Sequence, residues 1–539
     1  MKRSQRFPVF RCSVLPALAL AAAAPSLGGQ DAPLDPAAGK TGLLRREAGA
    51  TEGYTLFTPL SSTTTYLIDL AGEVVHRWES EFEPGQCVHL LPSGNLLRSG
   101  RSPANRTFHA GGEGGVVQEL AWDGTVVWQY SYTSEEHLQH HDVEPLPNGN
   151  VLLIAWERKT AEQALAAGRD PALLEAGELW VDHLVEVRPI RPAGGEIVWE
   201  WHVWDHLVQD RDAAKPGYGE VARHPELVDL NADRWRARRT DEELDEEQRR
   251  LRGLGYVGGP PADGPGGPGG RGRADWNHTN SVRYNATLDL IVLSVHSFSE
   301  IWVIDHGTTR EEAAGHQGGR RGHGGDLLYR WGNPKAWGAG SIENRRLFAQ
   351  HDARWVQDGD GGWSVLVFNN GPGRPDGEYS SVDQIRLPFD PEGGFRRADG
   401  EAFGPPVASW TYTAPKRGLF FASHISGAER LANGNTLIAS GEEGRIFEVT
   451  SAGETVWEYL NPFRELPRRG PDGAGPPDRR PGGGRRGPGG MGGPGGRGGR
   501  GGGPGLAGAL FRATRLAPDH PGLARLREAA APASAGESG

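Results

Sequence analysis

The sequence predicts an all-β protein, a six-bladed β-propeller closed by strands from its two ends, with a helical insertion and Gly/Arg-rich disordered loops. Three observations carry that expectation. A strand that starts at a turn glycine and reaches a tryptophan recurs along the chain, a tight hairpin lies in most of the same units, and each complete unit opens with a histidine. The 81 Gly and 40 Pro among 539 residues exceed globular usage, and the excess is concentrated at 258–274 and 465–506, so the remaining roughly 400 residues have globular composition. Neither tract keeps a Gly-X-Y period, which excludes collagen, and their Gly, Pro and Arg cannot bury enough apolar surface to offset ordering entropy.

Taken in order, residues 1–30 read as a signal peptide: Lys2, Arg3, Arg6 and Arg11 precede the apolar run Val14–Ala24 and the small residues around Ser26-Leu27-Gly28. A periplasmic or secreted protein is expected. Losing this segment removes four cations and no anion, taking the formal net charge from −11 to −15, which argues against nucleic acid as a partner. No other stretch approaches the roughly 18 to 20 apolar residues that span a bilayer, so no membrane span is expected. With Cys12 inside the segment, Cys87 has no intrachain partner. Residues 31–50 read as a linker, 51–526 as a single propeller domain and 527–539 as a disordered tail.

Within the propeller, Gly124-Thr-Val-Val-Trp128, Gly195-Glu-Ile-Val-Trp199 and Gly453-Glu-Thr-Val-Trp457 are copies of one strand. In Gly72–Trp78 and Gly325–Trp331 the tryptophan comes two residues later, on the same face of a strand of period two, and Pro406–Trp410 is a sixth candidate. Hairpins with the turns Ser93-Gly94-Asn95, Asn148-Gly149-Asn150 and Asn433-Gly434-Asn435 form the other half of the unit. Five units are complete. Strands at 53–79 and Leu510–Leu516 are left over at the two ends and can pair into a sixth, which removes two sheet edges. Residues 209–274 interrupt the pattern, and Thr240 to Glu243 form a capping box that opens a helix ending at Gly253, expected to lie on the surface with solvated charges.

The histidines that open the five units are His89, His141, His278, His351 and His424. The first strand of a blade lines the central channel, so equivalent positions converge on the axis as a ring of imidazoles. His183, His202, His206, His296, His306 and His316 lack that register and are read as structural or surface residues. A ring of this kind can bind a metal through neutral imidazoles, or grip an anion and supply a nucleophile. There is no HxH or HExxH pair, and inward carboxylates beyond Asp142 and Asp352 are scarce, which weighs against a metal. Arg374 follows the His351 strand in the glycine-rich turn Asn369-Asn-Gly-Pro-Gly-Arg374, from which a guanidinium can fold back to grip a tetrahedral oxyanion.

Together, His141–Asn150, Trp204-Asp-His206, Asp275-Trp-Asn-His-Thr-Asn-Ser281, Gln350-His-Asp352, Asn369–Arg374, Ser423-His424 and Phe511–Gly522 resemble the bacterial arylsulfotransferases. The resemblance implies a six-bladed propeller that moves a sulfuryl group from an aryl sulfate ester to a phenolic acceptor, by a ping-pong route through a sulfohistidine, with no cofactor and no metal. The nucleotide donor 3'-phosphoadenylyl sulfate is not used, in keeping with the absence of a complete P-loop pattern Gly-x4-Gly-Lys-Ser/Thr. Carried over residue by residue, the transient sulfohistidine falls on His424 and the anion grip on His278, His351 and Arg374. His141, Asn280 and Asn370, in the same segments, are expected to contact the substrate. A metal-binding propeller enzyme and a noncatalytic secreted recognition propeller are the alternatives. The insertion and the Gly/Arg tracts depart from the family pattern, and the first tract ends just before Asp275, where it can cover the channel mouth.

Overall fold

A computed structural model of the chain describes residues 32–33, 40–235, 240–257, 274–390, 394–464 and 508–530. The expected signal peptide, all but Ala274 of the first Gly-rich tract, the whole second tract and residues 531–539 lie outside them. Six antiparallel sheets form the expected propeller, with inner strands Pro84–Leu90, His137–Pro145, Thr279–Asn285, His351–Gln357, Gly427–Arg430 and Leu510–Leu516. The sixth blade closes the ring as anticipated: the C-terminal inner strand pairs with Tyr54–Pro59, which continues into Thr64–Ile68 and Val74–Glu79.

Two boundaries differ from the sequence reading. In the supposed linker, Gly42–Arg46 adds a fifth strand to the outer edge of the fifth blade by pairing with Thr455–Leu460. An edge strand offers unpaired backbone groups, and even a polar segment can satisfy them. Helix Ala524–Ala530 occupies the first four residues of the expected tail.

The repeated tryptophan has a physical task. Trp128 donates its indole N–H to Gly194 O, Trp199 to Thr308 Oγ1, Trp331 to Pro405 O, Trp410 to Ser451 O and Trp457 to Leu70 O, in each case an acceptor on the next blade. Trp78 makes the sixth junction by packing edge-on against Trp122 of the first blade, with 5.2 Å between ring centroids. Burying one such ring is worth on the order of 4–6 kcal/mol before entropy, so the repeat stitches neighbouring blades together. The hairpin turns are equally regular: Gly94, Gly149 and Gly434 sit at φ of +86, +85 and +87°, which glycine adopts without strain.

Register between blades follows from a set of hydrogen bonds around the axis. The backbone N–H of Val143 donates to Cys87 Sγ, that of Val282 to Asp142 Oδ2, that of Ala353 to Ser281 Oγ and that of Ala428 to Asp352 Oδ2. Cys87, Asp142, Ser281, Asp352 and Gly427 are therefore equivalent positions. Two residues further on, His89, Glu144, Arg283, Arg354 and Glu429 form the next layer. Here Arg283 contacts Asp142 at 2.6 Å and Glu144 at 3.3 Å, Arg512 contacts Asp142 at 2.8 Å, and Arg354 contacts Asp352 at 2.9 Å. Burial works against the Asp142 charge, but Arg283 and Arg512 more than offset it and bring its pKa to about 2. Beneath the histidines the channel is thus plugged by a buried belt of paired charges.

Candidate active site

That register corrects the expected ring. One layer above the Cys87–Asp352 positions stand Gln86, His141, Asn280, His351 and Ser426, so His141 and His351 are equivalent, whereas His278 and His424 each sit two residues upstream on the loop entering the blade. His89 lies among the belt charges instead. The hairpin glycine shows the offset: His89 precedes Gly94 by five residues, His141 precedes Gly149 by eight and His424 precedes Gly434 by ten. Cys87, Asp142 and Gly427 each precede that glycine by seven residues, so the histidines themselves stand at different positions along their strands. Where the inner strands begin, non-glycine residues occupy the left-handed region, with His141 and His278 at φ +52°, Asp352 at +57° and Ile425 at +50°. Each such residue costs about 1–3 kcal/mol, and such strain collects at functional sites.

Four imidazoles meet in one chamber. The rings of His141 and His278 are 4.5 Å apart, those of His278 and His296 4.9 Å, and those of His296 and His351 5.2 Å. His296, set aside on sequence register, belongs to this group because it begins the turn that follows the second strand of its blade. By contrast His206, between Asp326 and Ala313 O, and His306, between Glu186 and Asp289, have the structural roles expected of them.

Each imidazole is electrostatically distinct. Burial drives the His141 pKa well below its ordinary value and holds the ring neutral. Burial also opposes charge on His278, but the adjacent Asp275 carboxylate, hydrogen-bonded to Nδ1, more than compensates and raises its pKa above 6.5. In His351 burial prevails and brings the pKa to about 3. Its tautomer follows from Asn370, whose Nδ2 donates to Ala422 O and Ile425 O, leaving Oδ1 to accept the His351 Nδ1 proton at 2.8 Å. The buried His351 Nε2 then carries a lone pair with no hydrogen-bond partner among the described residues. Asn370 positions this ring from behind, and Asn280 turns its amide to Gln350 O at 2.8 Å.

His424 faces the insertion. Its Nδ1 meets Ser423 Oγ at 2.8 Å, its backbone N–H donates to Glu442 Oε1 at 2.8 Å, and its Nε2 lies 3.0 Å from Glu247 Oε1. Burial opposes charge here too, yet the hydrogen bonds to Glu247 and Glu442 raise its pKa above 6.5. A charge on His424 in turn lowers the pKa of His278 and of His351, so these three belong to one electrostatic unit.

The insertion helix Asp241–Gly253 keeps most of its charges in water, but its inner face does not match the expected solvated surface. Leu251, Leu254, Tyr256 and Val257 are buried against Leu60, Ile425, Ala509 and Phe511, and Arg250 pairs with Glu442. Tyr256 sends its hydroxyl into the chamber, 2.6 Å from His141 Nε2 and 3.3 Å from His278 Nε2. The neutral His141 accepts the phenolic proton while the His278 N–H donates to the phenolic oxygen. No residue type or spacing in 240–257 announces that hydroxyl.

Arg374 departs from its expected place. Its Nη2 donates to Ser381 Oγ at 2.7 Å and its guanidinium stacks over Tyr379 at 4.4 Å and Phe348 at 5.2 Å. None of these is an imidazole. The weakly hydrated planar guanidinium is held there by the two aromatic faces and the Ser381 hydroxyl. To reach a sulfuryl group it has to leave Ser381.

Among the described residues, two trios have the spacing of metal ligands: Cys87, His89 and Asp142 in the belt, and His206, His316 and Asp326 away from the axis. In the first, Asp142 is already held by two guanidinium groups, and in the second both nitrogens of His206 are hydrogen-bonded. No described helix is long and apolar enough to cross a membrane.

The family described as Arylsulfotransferase (ASST) has a sequence model that matches residues 50–386. No curated protein matches the chain. Solved structures with similar shape include a protein of unknown function from Bacteroides caccae, 10% identical with a TM-score of 0.37 over 76% of this chain and 94% of that one. Another is a periplasmic gluconolactonase, PpgL, from Pseudomonas aeruginosa, 11% identical with a TM-score of 0.34 over 76% and 96%. A streptogramin B lyase is 9% identical with a TM-score of 0.29 over 78% and 86%.

Proposed function

This chain belongs to the arylsulfotransferase family and is a transferase acting on small molecules; from that premise we propose a ping-pong reaction that carries a sulfuryl group from an aryl sulfate ester to a phenol through a sulfohistidine on His424, without a nucleotide donor. The single observation that carries the reading is a phenolic oxygen, that of Tyr256, held between His141 Nε2 and His278 Nε2, with Asp275 behind His278. This is where the phenolic oxygen of a substrate would stand.

In the first half-reaction His424 Nε2, released from Glu247 and neutral, attacks sulfur. The N–S bond forms as the bond from sulfur to the aryl oxygen breaks, and the imidazolium of His278 gives its proton to the departing oxygen. Its raised pKa keeps that proton available near neutral pH. In the second half the now neutral His278 takes the proton of the incoming phenol, whose oxygen displaces His424 from sulfur. The His278 N–H is the preorganised donor at the departing oxygen, worth roughly 10²- to 10³-fold, whereas Nε2 of His351 presents a lone pair and not a proton. The N-terminal pattern of charge and apolar residues supports a periplasmic or secreted enzyme, which cell fractionation checks.

One observation favours a second reading of the carrier. Nε2 of His351 is neutral and without a partner, whereas both nitrogens of His424 are engaged. Initial rates with 4-nitrophenyl sulfate and phenol test the reaction: parallel lines are expected, and intersecting lines argue against a covalent intermediate. Inorganic sulfate released equally fast without acceptor would make the protein a sulfatase. Peptide mapping of briefly quenched, donor-treated enzyme is expected to find the group on the His424 peptide, and His424→Asn is expected to abolish transfer. Label on the His351 peptide moves the role to His351.

A further inference from the structure

The insertion carries a phenol of its own into a site whose substrate class is phenols. We propose that Tyr256 occupies the place of the acceptor phenol and is itself a sulfation site, so that the enzyme transfers a sulfuryl group to its own insertion when no external phenol is present. The inference rests on the ping-pong reading above.

Three features of the packing show a seat built for that ring. Gly111 backs it so closely that a Cβ there would fall 2.2 Å from Tyr256 Cε1, so only glycine leaves room. Phe511 lies nearly parallel to the ring, at 6.4 Å between centroids and 16° between planes. The segment is pinned on both sides by backbone contacts, with Gly112 N–H donating to Tyr256 O at 3.3 Å and Arg101 donating to Gly255 O. The hydroxyl then reaches two imidazoles, one a neutral acceptor and one backed by a carboxylate. Burial raises the Tyr256 pKa well above its ordinary value, so the oxygen attacks only as its proton is removed.

The step balances without any further reagent. Once the donor's phenol has left with the proton of His278, His278 is neutral. The Tyr256 oxygen forms a bond to sulfur, the N–S bond to the carrier histidine breaks with its electron pair returning to the imidazole, and the phenolic proton passes to His278 Nε2. The net change is an aryl sulfate and a tyrosine becoming a phenol and a tyrosine sulfate. Glu247 and Tyr256 flank the same short segment, so the movement that frees His424 also lets donor enter in place of Tyr256, whose return competes with an external phenol.

The test is digestion and mass mapping of the full-length protein after incubation with 4-nitrophenyl sulfate and no added phenol, alongside Tyr256→Phe, which keeps the ring but not the oxygen. One sulfuryl group per chain on the Tyr256 peptide of the wild type, none on that peptide in the variant, and a faster phenol-dependent rate in the variant are expected. An unlabelled Tyr256 peptide in an enzyme that turns over 4-nitrophenyl sulfate with phenol overturns this inference and leaves the proposed function standing. Failure of the wild type to release nitrophenol with or without phenol overturns both.

Discussion

Replacing Glu247 with glutamine isolates the contact that holds His424 away from chemistry. The carboxylate lies 3.0 Å from Nε2, and the two side chains are only 24% and 16% exposed, so the pair is weakly screened. A hydrogen bond to a charged group of this kind is worth about 1.5–3 kcal/mol, which corresponds to roughly 10- to 150-fold in the population of His424 that is both neutral and free. Glu442 remains and holds back part of the shift, so the acid limb of the kcat/KM profile for 4-nitrophenyl sulfate is expected to move down by about one pH unit, with a gain that approaches about tenfold on the acid side of that limb. The sign of the stability effect follows from the raised pKa. Stability from the imidazolium pair is fully present below about 6.5 and is lost as pH rises through the folded-state value, so Glu247→Gln should lower the melting temperature at pH 6 and leave it nearly unchanged at pH 9. The assay is the nitrophenol burst across pH, read beside thermal unfolding at the same pH values. An acid limb that does not move refutes the masking argument. A burst that disappears with stability intact shows that Glu247 serves the reaction.

Much of the fold was legible in the sequence because propeller blades repeat their chemistry. The Gly-to-Trp strands and the Asn-Gly-Asn hairpins specify edges, turns and inter-blade contacts that recur with the same residues, and the two orphan strands at the ends announced the closure. The site was legible only in part. The histidines look like one register because each precedes a hairpin by a similar distance, but that distance varies from five to ten residues while the layer positions keep a constant seven, which puts His89 in the charge belt and leaves His141 and His351 as the only two of the five in one layer. His296 was passed over because it sits after the second strand, in a turn that returns to the axis. Asp275 could have been singled out from its place three residues before His278. Glu247 and Tyr256 could not, since their role depends on how a 13-residue helix and a following turn settle on the channel mouth, a tertiary outcome that leaves no periodic mark. The glycine-rich turn before Arg374 leaves its direction open in the sequence, and the aromatic faces of Tyr379 and Phe348 decide it.

Two further substitutions separate the chamber from the belt beneath it. Gly112 sits at φ +87°, and a Cβ there would lie 2.2 Å from Cε1 of His141, so Gly112→Ala should displace that imidazole and cut sulfuryl transfer by at least about 10²-fold; unchanged kcat/KM would show that His141 does not touch the reacting phenol. Arg512→Met tests the belt, because Arg512 spans Asp142 at 2.8 Å, Asp352 at 3.5 Å and Asn280 O at 3.0 Å. Removing one partner of a buried charge network costs about 3–5 kcal/mol, and the lower end applies because Arg283 and Arg354 still face the same carboxylates. The depressed Asp142 pKa makes this stability present above about 3.8 and lost as pH falls toward about 2. With less positive charge beside it, Asp142 takes up its proton at higher pH, so acid unfolding followed by circular dichroism should begin at higher pH in the variant than in the wild type. Coincident acid transitions would mean that backbone donors such as Val282 N–H, rather than the guanidinium groups, keep that carboxylate charged under the histidines.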